Sequence, residues 1–301
     1  MQTGENVSFP QIKNMQRRNF LQATGVLAVG ALLPTRASGC QKKNHLEQIG
    51  LQLYTLRDAM LRDADETLRQ VAAIGYNYVE GASYNNGQLY GRSAKIFKAL
   101  LASHNLQMPS GHVDWDALQA EPERAAATCR EAGQTYLVLP FWPEEKRTAE
   151  GYRELVEILN NSGEVCRNYG LQLAYHNHDF EFNKMVAGQR PFDFLVQEVD
   201  PATVQFELDL YWITRAGSDY QKYFRELGGR FPLWHVKDID NTPDKFFASV
   251  GSGVLDWPAI FSHQAEAGMK YFFVEQDQTR PGGNPMEEIA ASYTYLKQLK
   301  Y

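Results

Sequence analysis

The sequence predicts a single (β/α)8 barrel of the α/β class over residues 40–301. Eight short runs rich in Val, Tyr, Phe and Leu recur from residue 49 onward with helical patterns between them, and strict alternation of this kind favours a parallel sheet. No Gly/Ser-rich linker interrupts the roughly 250 residues involved, a length typical of one barrel. A doubly wound open sheet would carry a glycine-rich dinucleotide turn after its first strand, and none follows here.

In chain order, the first strand is expected at 49–55. A helical pattern at 65–74 ends at Gly75, and the second strand follows at 76–83. The next helix spans 93–104 and the third strand 106–113. A helix at 122–132 ends at Gly133 before the fourth strand at 136–141. The long helical pattern at 148–169 ends at Gly170 before the fifth strand at 171–178. Glycine suits these three places because a helix commonly stops in a left-handed conformation. The sixth, seventh and eighth strands are expected at 204–212, 231–239 and 271–278, and the last helix at 285–300.

Residues 1–39 read as an export leader rather than as part of the barrel. Arg17-Arg18-Asn19-Phe20-Leu21 precedes an apolar run at 23–33 that is too short to span a bilayer, the pattern of a twin-arginine signal. Ala37-Ser38-Gly39-Cys40 resembles a lipobox, which would make Cys40 a site of lipid attachment after cleavage; the same bond also suits an ordinary signal peptidase. Met15 directly before the arginines is an alternative start. After Cys40 only Cys129 and Cys166 remain, too few for a disulfide framework.

Composition excludes other classes. With 44% hydrophobic and 22% charged residues the chain is built to fold. The net charge is −6, of which residues 1–39 contribute +3 (Lys13, Arg17, Arg18 and Arg36 against Glu5), leaving −9 for the remainder. An acidic domain is a poor partner for nucleic acid, whose binding needs clustered positive charge.

Alternation along the strands sorts the polar residues. In the fifth strand Gln172, Ala174, His176 and His178 share one face; in the sixth, Gln205, Glu207 and Asp209 do. His235 and Lys237 are in phase near the end of the seventh strand, Glu275 and Asp277 near the end of the eighth, and Glu80 and His112 occupy late positions on the second and third. Catalytic groups of a barrel sit at these carboxyl ends. Imidazoles and carboxylates converging in a dry core would repel or stay unsatisfied, and a divalent cation (Mn²⁺, Zn²⁺, Co²⁺, Fe²⁺ or Mg²⁺) resolves the conflict.

These residues resemble the xylose-isomerase-like TIM barrel family of sugar phosphate isomerase/epimerase-like proteins, a superfamily shared with metal-dependent apurinic-site endonucleases. The resemblance rests on Gly50-Leu51-Gln52-Leu53-Tyr54, Val79-Glu80, Ser110-Gly111-His112, Tyr175-His176-Asn177-His178-Asp179, Glu207-Leu208-Asp209, His235-Val236-Lys237-Asp238, Gly251-Ser252-Gly253 with Asp256-Trp257, and Val274-Glu275. It implies one metal held by Glu, Asp, His and Glu on the last four strands. Asp209, His235 and Glu275 match three of these places. His176 stands at the fourth, with His178 and Glu181 as alternatives. Where multinuclear relatives carry His three residues after the Asp ligand this chain has Trp212, which disfavours an endonuclease-type centre.

The resemblance further implies proton removal next to a carbonyl, with Glu275 as both ligand and base and His178, His112 and Glu80 as other proton-transfer candidates. Lys237 is placed to donate to a developing enolate oxygen. Tyr54, Trp142, Trp212 and Trp257 are candidates to pack on a sugar ring, and the Gly251-Ser252-Gly253 backbone to approach a hydroxyl-rich ligand. The expected substrate is a small carbohydrate, and export favours a 3-keto-glycoside lyase or hydratase over a sugar-phosphate isomerase. Membrane association is expected only through Cys40. The alternatives are a noncatalytic carbohydrate-binding lipoprotein and an apurinic-site endonuclease relative.

Overall fold

A computed structural model describes residues 44–183 and 185–301; the expected leader and Cys40 lie outside the described residues. Eight parallel strands follow the chain in the predicted order: β1 (Gly50–Gln52), β2 (Tyr78–Gly81), β3 (Gln107–Gly111), β4 (Tyr136–Leu139), β5 (Gln172–His176), β6 (Val204–Asp209), β7 (Leu233–Val236) and β8 (Tyr271–Val274). Around the sheet they run β3-β2-β1-β8-β7-β6-β5-β4. A single parallel bridge, His112 to Val138, joins the two ends and nearly closes the barrel.

The strands are shorter than the apolar runs that announce them, because the chain turns away as soon as its inward polar residues are placed. After β6 the expected strand to 212 gives way to the helix Leu210–Arg215, because the Asp209 side chain accepts from the Trp212 backbone N–H at 2.8 Å and starts a helix there. The longer helices fall where predicted: Ala64–Ile74, Ala94–Ser103, Pro122–Ala132, Ala149–Asn168 and Pro285–Gln298. Asp63, Ser93, Thr148 and Asn284 cap four of them by accepting backbone N–H groups. Gly75 stops the first of these with φ of 119°, and a Cβ there would come within 2.4 Å of the Tyr293 hydroxyl. Two small pieces of sheet were not foreseen: the antiparallel meander Tyr84–Asn85, Gln88–Leu89 and Arg92–Ser93, and the pair Asp238–Ile239 with Phe247–Ala248.

Two apolar regions hold this frame. The larger lies between the strands and the helix ring. The smaller lies inside the barrel, where Val138, Ala174, Leu233 and Phe273 pack with Tyr78, Tyr136 and Tyr271. Tyr271 meets Tyr78 edge-on at 5.2 Å and Tyr136 at 6.2 Å between ring centres. These tyrosines open their strands, so the amino-terminal half of the barrel is plugged. Removing a ring such as Phe273 from this plug would cost about 3–5 kcal/mol. The imidazoles and carboxylates of the interior lie above this plug, in the carboxyl-terminal half.

Candidate metal and catalytic site

Above the plug, the next inward residue of nearly every strand is polar. Ladder register sets neighbours side by side: Gln52 with Glu80, Glu80 with Ser110, His176 with Glu207, and His235 with Asp209. Glu80, Glu207, Asp209 and His235 have no exposed surface, and Lys237, His176 and Glu275 very little. Such a layer is stable only if each charge has a partner.

The partners form two tiers that share His235. In the inner tier, Glu207 Oε2 is 3.1 Å from His112 Nε2, 3.2 Å from His176 Nδ1 and 3.3 Å from His235 Nε2. Glu80 Oε2 lies 2.6 Å from His235 Nε2 and accepts from Gln52 Nε2 at 2.7 Å, while the Ser110 hydroxyl donates to its other oxygen. In the outer tier, His235 Nδ1 is 2.8 Å from Glu275 Oε2 and 3.8 Å from Asp209 Oδ2. The Lys237 ammonium sits among three carboxylates, 2.7 Å from Glu275, 2.8 Å from Asp277 and 3.1 Å from Asp209. His176 Nε2 reaches this tier only at 3.9 Å from Asp209 Oδ2.

Burial pushes the Glu207 carboxyl up to about 7, with Glu80 adding to the effect. It also raises Asp209, against the pull of Lys237, and brings Asp277 up to about 6. At Glu275 burial acts the same way, but Lys237 and His235 outweigh it and hold that carboxyl well below the usual range. Burial disfavours the Lys237 ammonium, and Asp209, Asp277 and Glu275 together reverse this and raise it well above an ordinary lysine. His112 is pushed up to about 9, the desolvation it suffers being overcome by Glu80 and Glu207. Burial and the neighbouring His235 take His176 well below its usual value; burial and Lys237 bring His178 down to about 3.

The layer fits a divalent cation. His112, His176, Glu207 and His235 form one group, and Asp209, His235 and Glu275 another, with the donor atoms of each group within 4.8 Å of one another. Donors about 2.1 Å from a common ion stand roughly 3–4 Å apart, so little movement would gather either group. Among the described residues Glu207 Oε1 is buried without a partner, and Asp209 Oδ2 accepts no well-aligned hydrogen bond, although Lys237 is close. Unpaired buried oxygens of this kind cost about 1–3 kcal/mol each, more when charged, unless something positive meets them.

A cavity of about 620 Å³ opens above the layer. His112, His176, His178, Lys237 and Glu275 form its floor, and Tyr54, Tyr84, Phe141, Trp212 and Phe247 its walls. His178 Nδ1 and Trp212 Nε1 are buried in this region without a hydrogen-bond partner among the described residues. Glu80, Asp209 and His235 lie beneath the floor.

Trp142 and Trp257, expected to stack on a sugar, are elsewhere. Both are fully buried; Trp142 Nε1 donates to Lys146 O and Trp257 Nε1 to Asp238 Oδ2, each at 2.9 Å. The Gly251-Ser252-Gly253 turn is likewise structural. Asp238 accepts the N–H groups of Ile239, Gly251, Gly253 and Leu255 as well as the Trp257 indole, which fastens the turn under the helix Trp257–Ser262. Glu181 is turned away from the metal layer: it accepts from the Tyr175 hydroxyl at 2.6 Å and the His178 backbone N–H at 2.8 Å, and burial pushes its carboxyl up to about 7.

Glu207, Gln52, Ser110 and Asp277 were not singled out as site residues. Glu207 carries a legible signal, since it shares the parity of Asp209 two residues later. Phe247 carries none, because only the pairing of its two-residue strand with Asp238–Ile239 brings it to the wall.

A sequence model of the xylose isomerase-like TIM barrel matches residues 68–299. The inosose dehydratase of Lactiplantibacillus plantarum is 24% identical over 168 residues, which cover 50% of this chain and 55% of that protein. The chain thus spans about half the length of the first curated relatives it matches. A sugar phosphate isomerase/epimerase from Parabacteroides distasonis superposes with a TM-score of 0.73 at 25% identity, over 87% of this chain and 96% of the other. The IolI protein, solved with a bound zinc atom, shares the fold with a TM-score of 0.63 at 18% identity, over 82% and 95% of the two chains.

Proposed function

The chain belongs to the xylose isomerase-like TIM barrel family, and on that premise we propose that it is a divalent-metal-dependent enzyme acting on a keto-sugar by proton removal next to the carbonyl. The specific reaction we propose is β-elimination or hydration of a 3-keto-glycoside. The observation that carries the reading is the buried layer of imidazoles and carboxylates directly beneath an aromatic-walled cavity of about 620 Å³. That volume accommodates a drug-sized or disaccharide-sized ligand.

A bound divalent ion would supply Lewis acidity, making the C–H beside a carbonyl easier to ionise. The donors that would hold it are drawn from His112, His176, Glu207, Asp209, His235 and Glu275. Glu275, kept ionised by Lys237 and His235, is the acceptor for the proton. Lys237 keeps its ammonium and donates to the oxygen on which negative charge develops, with Asp277 holding it in place. His178 is neutral and lies on the cavity floor, where Nδ1 takes up a sugar hydroxyl; Trp212 Nε1 does the same from the wall. Tyr54, half exposed at the rim, and Phe141 offer ring faces to the apolar side of a sugar.

The compartment belongs to the same reading: a twin-arginine leader would export the folded protein, and Cys40 would anchor it. The test is incubation of the purified protein with 3-keto-glycosides in deuterated buffer, with and without Mn²⁺. Metal-dependent exchange of the hydrogen alpha to the ketone is expected. Tight sugar binding with no exchange in any keto-sugar would instead make this a carbohydrate-binding protein.

A further inference from the structure

We propose that the leaving group is itself a sugar, so that the substrate is an oxidised oligosaccharide lying across two cavities. The proposal rests on the keto-sugar reading above and assigns the part of the substrate that the metal layer does not touch.

A second cavity of about 550 Å³ lies beside the first, and Arg57, Asp277 and Gln278 line both. This partition follows from topology. Arg57 opens the helix Arg57–Arg62 shortly after β1, Asp277 and Gln278 follow β8, and β1 and β8 are neighbours in the sheet. A ligand held over the floor of the first cavity and extending toward these two loops meets Arg57 and enters the second. Each cavity falls within the roughly 300–1,000 Å³ of small-molecule sites, so the pair has room for more than one ring.

The partition carries donors that the protein does not use. The Arg57 guanidinium carbon stands 4.5 Å from the centre of the Tyr54 ring, and its Nη1 donates to Tyr54 O at 3.0 Å, which fixes the side chain. Among the described residues neither Arg57 nor Arg62, which lines the second cavity alone, forms an ion pair. The carboxylates around them are engaged elsewhere: Glu66 with Arg69 and Gln70, Asp63 with the Glu66 backbone N–H, and Asp277 with Lys237. Two guanidiniums thus keep donors for the oxygens of a ligand.

The rest of the lining says what kind of ligand. Asp58, Asp63, Glu66 and Asp277 stand against Arg57 and Arg62, so a phosphate or carboxylate would meet more like charge than opposite. Interspersed donors and acceptors suit neutral hydroxyls. The first cavity is walled by aromatic rings, whereas among the described residues none lines the second, whose apolar surface comes from Leu56, Ala59, Pro285 and Met286. An aryl leaving group would find no ring to stack on there. A sugar would find partners for its hydroxyls and a narrow apolar strip for its ring.

The test is calorimetric titration of the full chain, with Mn²⁺ present, by maltose, cellobiose and trehalose, by the methyl glucosides and by the 4-nitrophenyl glucosides. Wild type, Arg62→Ala and Gln70→Trp are compared; both substitutions lie in the second cavity alone, and Arg62 is exposed, so its loss leaves the fold intact. At least one disaccharide is expected to bind about tenfold or more tighter than the methyl glucosides, and each variant to remove about that factor. The methyl glucosides, too short to reach the second cavity, should stay within about twofold. Disaccharides that bind no tighter than methyl glucosides, or that ignore both substitutions, overturn the proposal, as does a wild type that binds no disaccharide. The 4-nitrophenyl glucosides are expected to ignore both changes; a loss matching that of the disaccharides would put an aryl group in the second cavity and overturn it too. Disaccharide binding in the expected pattern without solvent exchange into any keto-sugar would defeat the proposed reaction and leave this assignment standing. Exchange into a 3-keto methyl glycoside, with disaccharides bound no tighter, would do the reverse.

Discussion

Replacing Asp238 by Asn tests how the turn between the seventh strand and its helix is held. The two carboxylate oxygens divide five donors: Oδ1 accepts from Ile239 N at 2.8 Å and Leu255 N at 3.2 Å, and Oδ2 from Gly251 N at 2.9 Å, Gly253 N at 3.2 Å and Trp257 Nε1 at 2.9 Å. Asparagine keeps the shape but turns one acceptor into a donor. In either orientation its amide nitrogen confronts two or three N–H groups with nothing to accept them. Each orphaned donor costs about 1–3 kcal/mol, and neighbours sharing one atom are not additive, so a loss of roughly 3–5 kcal/mol is expected. For a domain of this size that corresponds to a fall in Tm of roughly 8–15 °C. Asp238→Ala should be similarly costly, which a purely steric role would not predict. Urea unfolding followed by tryptophan fluorescence, with calorimetry in parallel, measures both. An Asn variant within about 1 kcal/mol of wild type would refute the account of the turn.

Three further outcomes are expected. Trp212→Ala should raise KM for a glycoside about tenfold or more, through lost ring contact and the lost indole donor, whereas Trp257→Phe should lower stability with KM nearly unchanged; steady-state kinetics and urea melts separate the two. Glu181, whose carboxyl rises to about 7 against a usual 4.5, favours the folded state in its protonated form. Its stabilisation is therefore complete below about pH 4.5 and lost as pH rises through about 7, on the order of 2–4 kcal/mol over that window. Glu181→Gln, which still accepts the His178 N–H, should flatten the pH dependence of stability between pH 5 and 7, and an unchanged slope in urea titrations would contradict the assignment. Changing Arg17 and Arg18 together to Lys should leave the precursor in the cytoplasm by cell fractionation, and normal export would rule out the twin-arginine route.

Alternation along the strands was enough to place the buried polar layer, because a period of two states unambiguously which residues share the interior. The same parity that marked His176, Asp209, His235 and Glu275 also held Glu207, whose central position is decided by ladder register and not by its own sequence neighbourhood. Parity does not say which nitrogen of a ring faces which carboxylate, so the division into two tiers was invisible in one dimension. Tryptophans were harder. Trp212 lies in the first turn of the helix Leu210–Arg215 and Trp257 opens the helix Trp257–Ser262, yet one meets the cavity and the other meets Asp238, a difference set by a turn that closes across 19 residues. Glu181 lay close in sequence to the fifth-strand ligands but pairs with Tyr175, a side chain of the opposite parity.

The bridge from His112 to Val138 has a mechanical meaning. Neighbouring strands elsewhere in the barrel are zipped by runs of ladder bonds, but β3 and β4 are tied mainly by Thr135 N to Pro109 O and Val113 N to Val138 O, each 2.9 Å. Pro109, with no N–H to give, interrupts the lacing on one side. This is the seam of the cylinder, and a seam is where a closed sheet gapes first under thermal stress. His112 stands at its upper end and reaches across the lumen toward His176 and His235. Amide exchange at Val113 and Thr135 is therefore expected to run faster than at strand residues elsewhere in the sheet, and would register the seam directly.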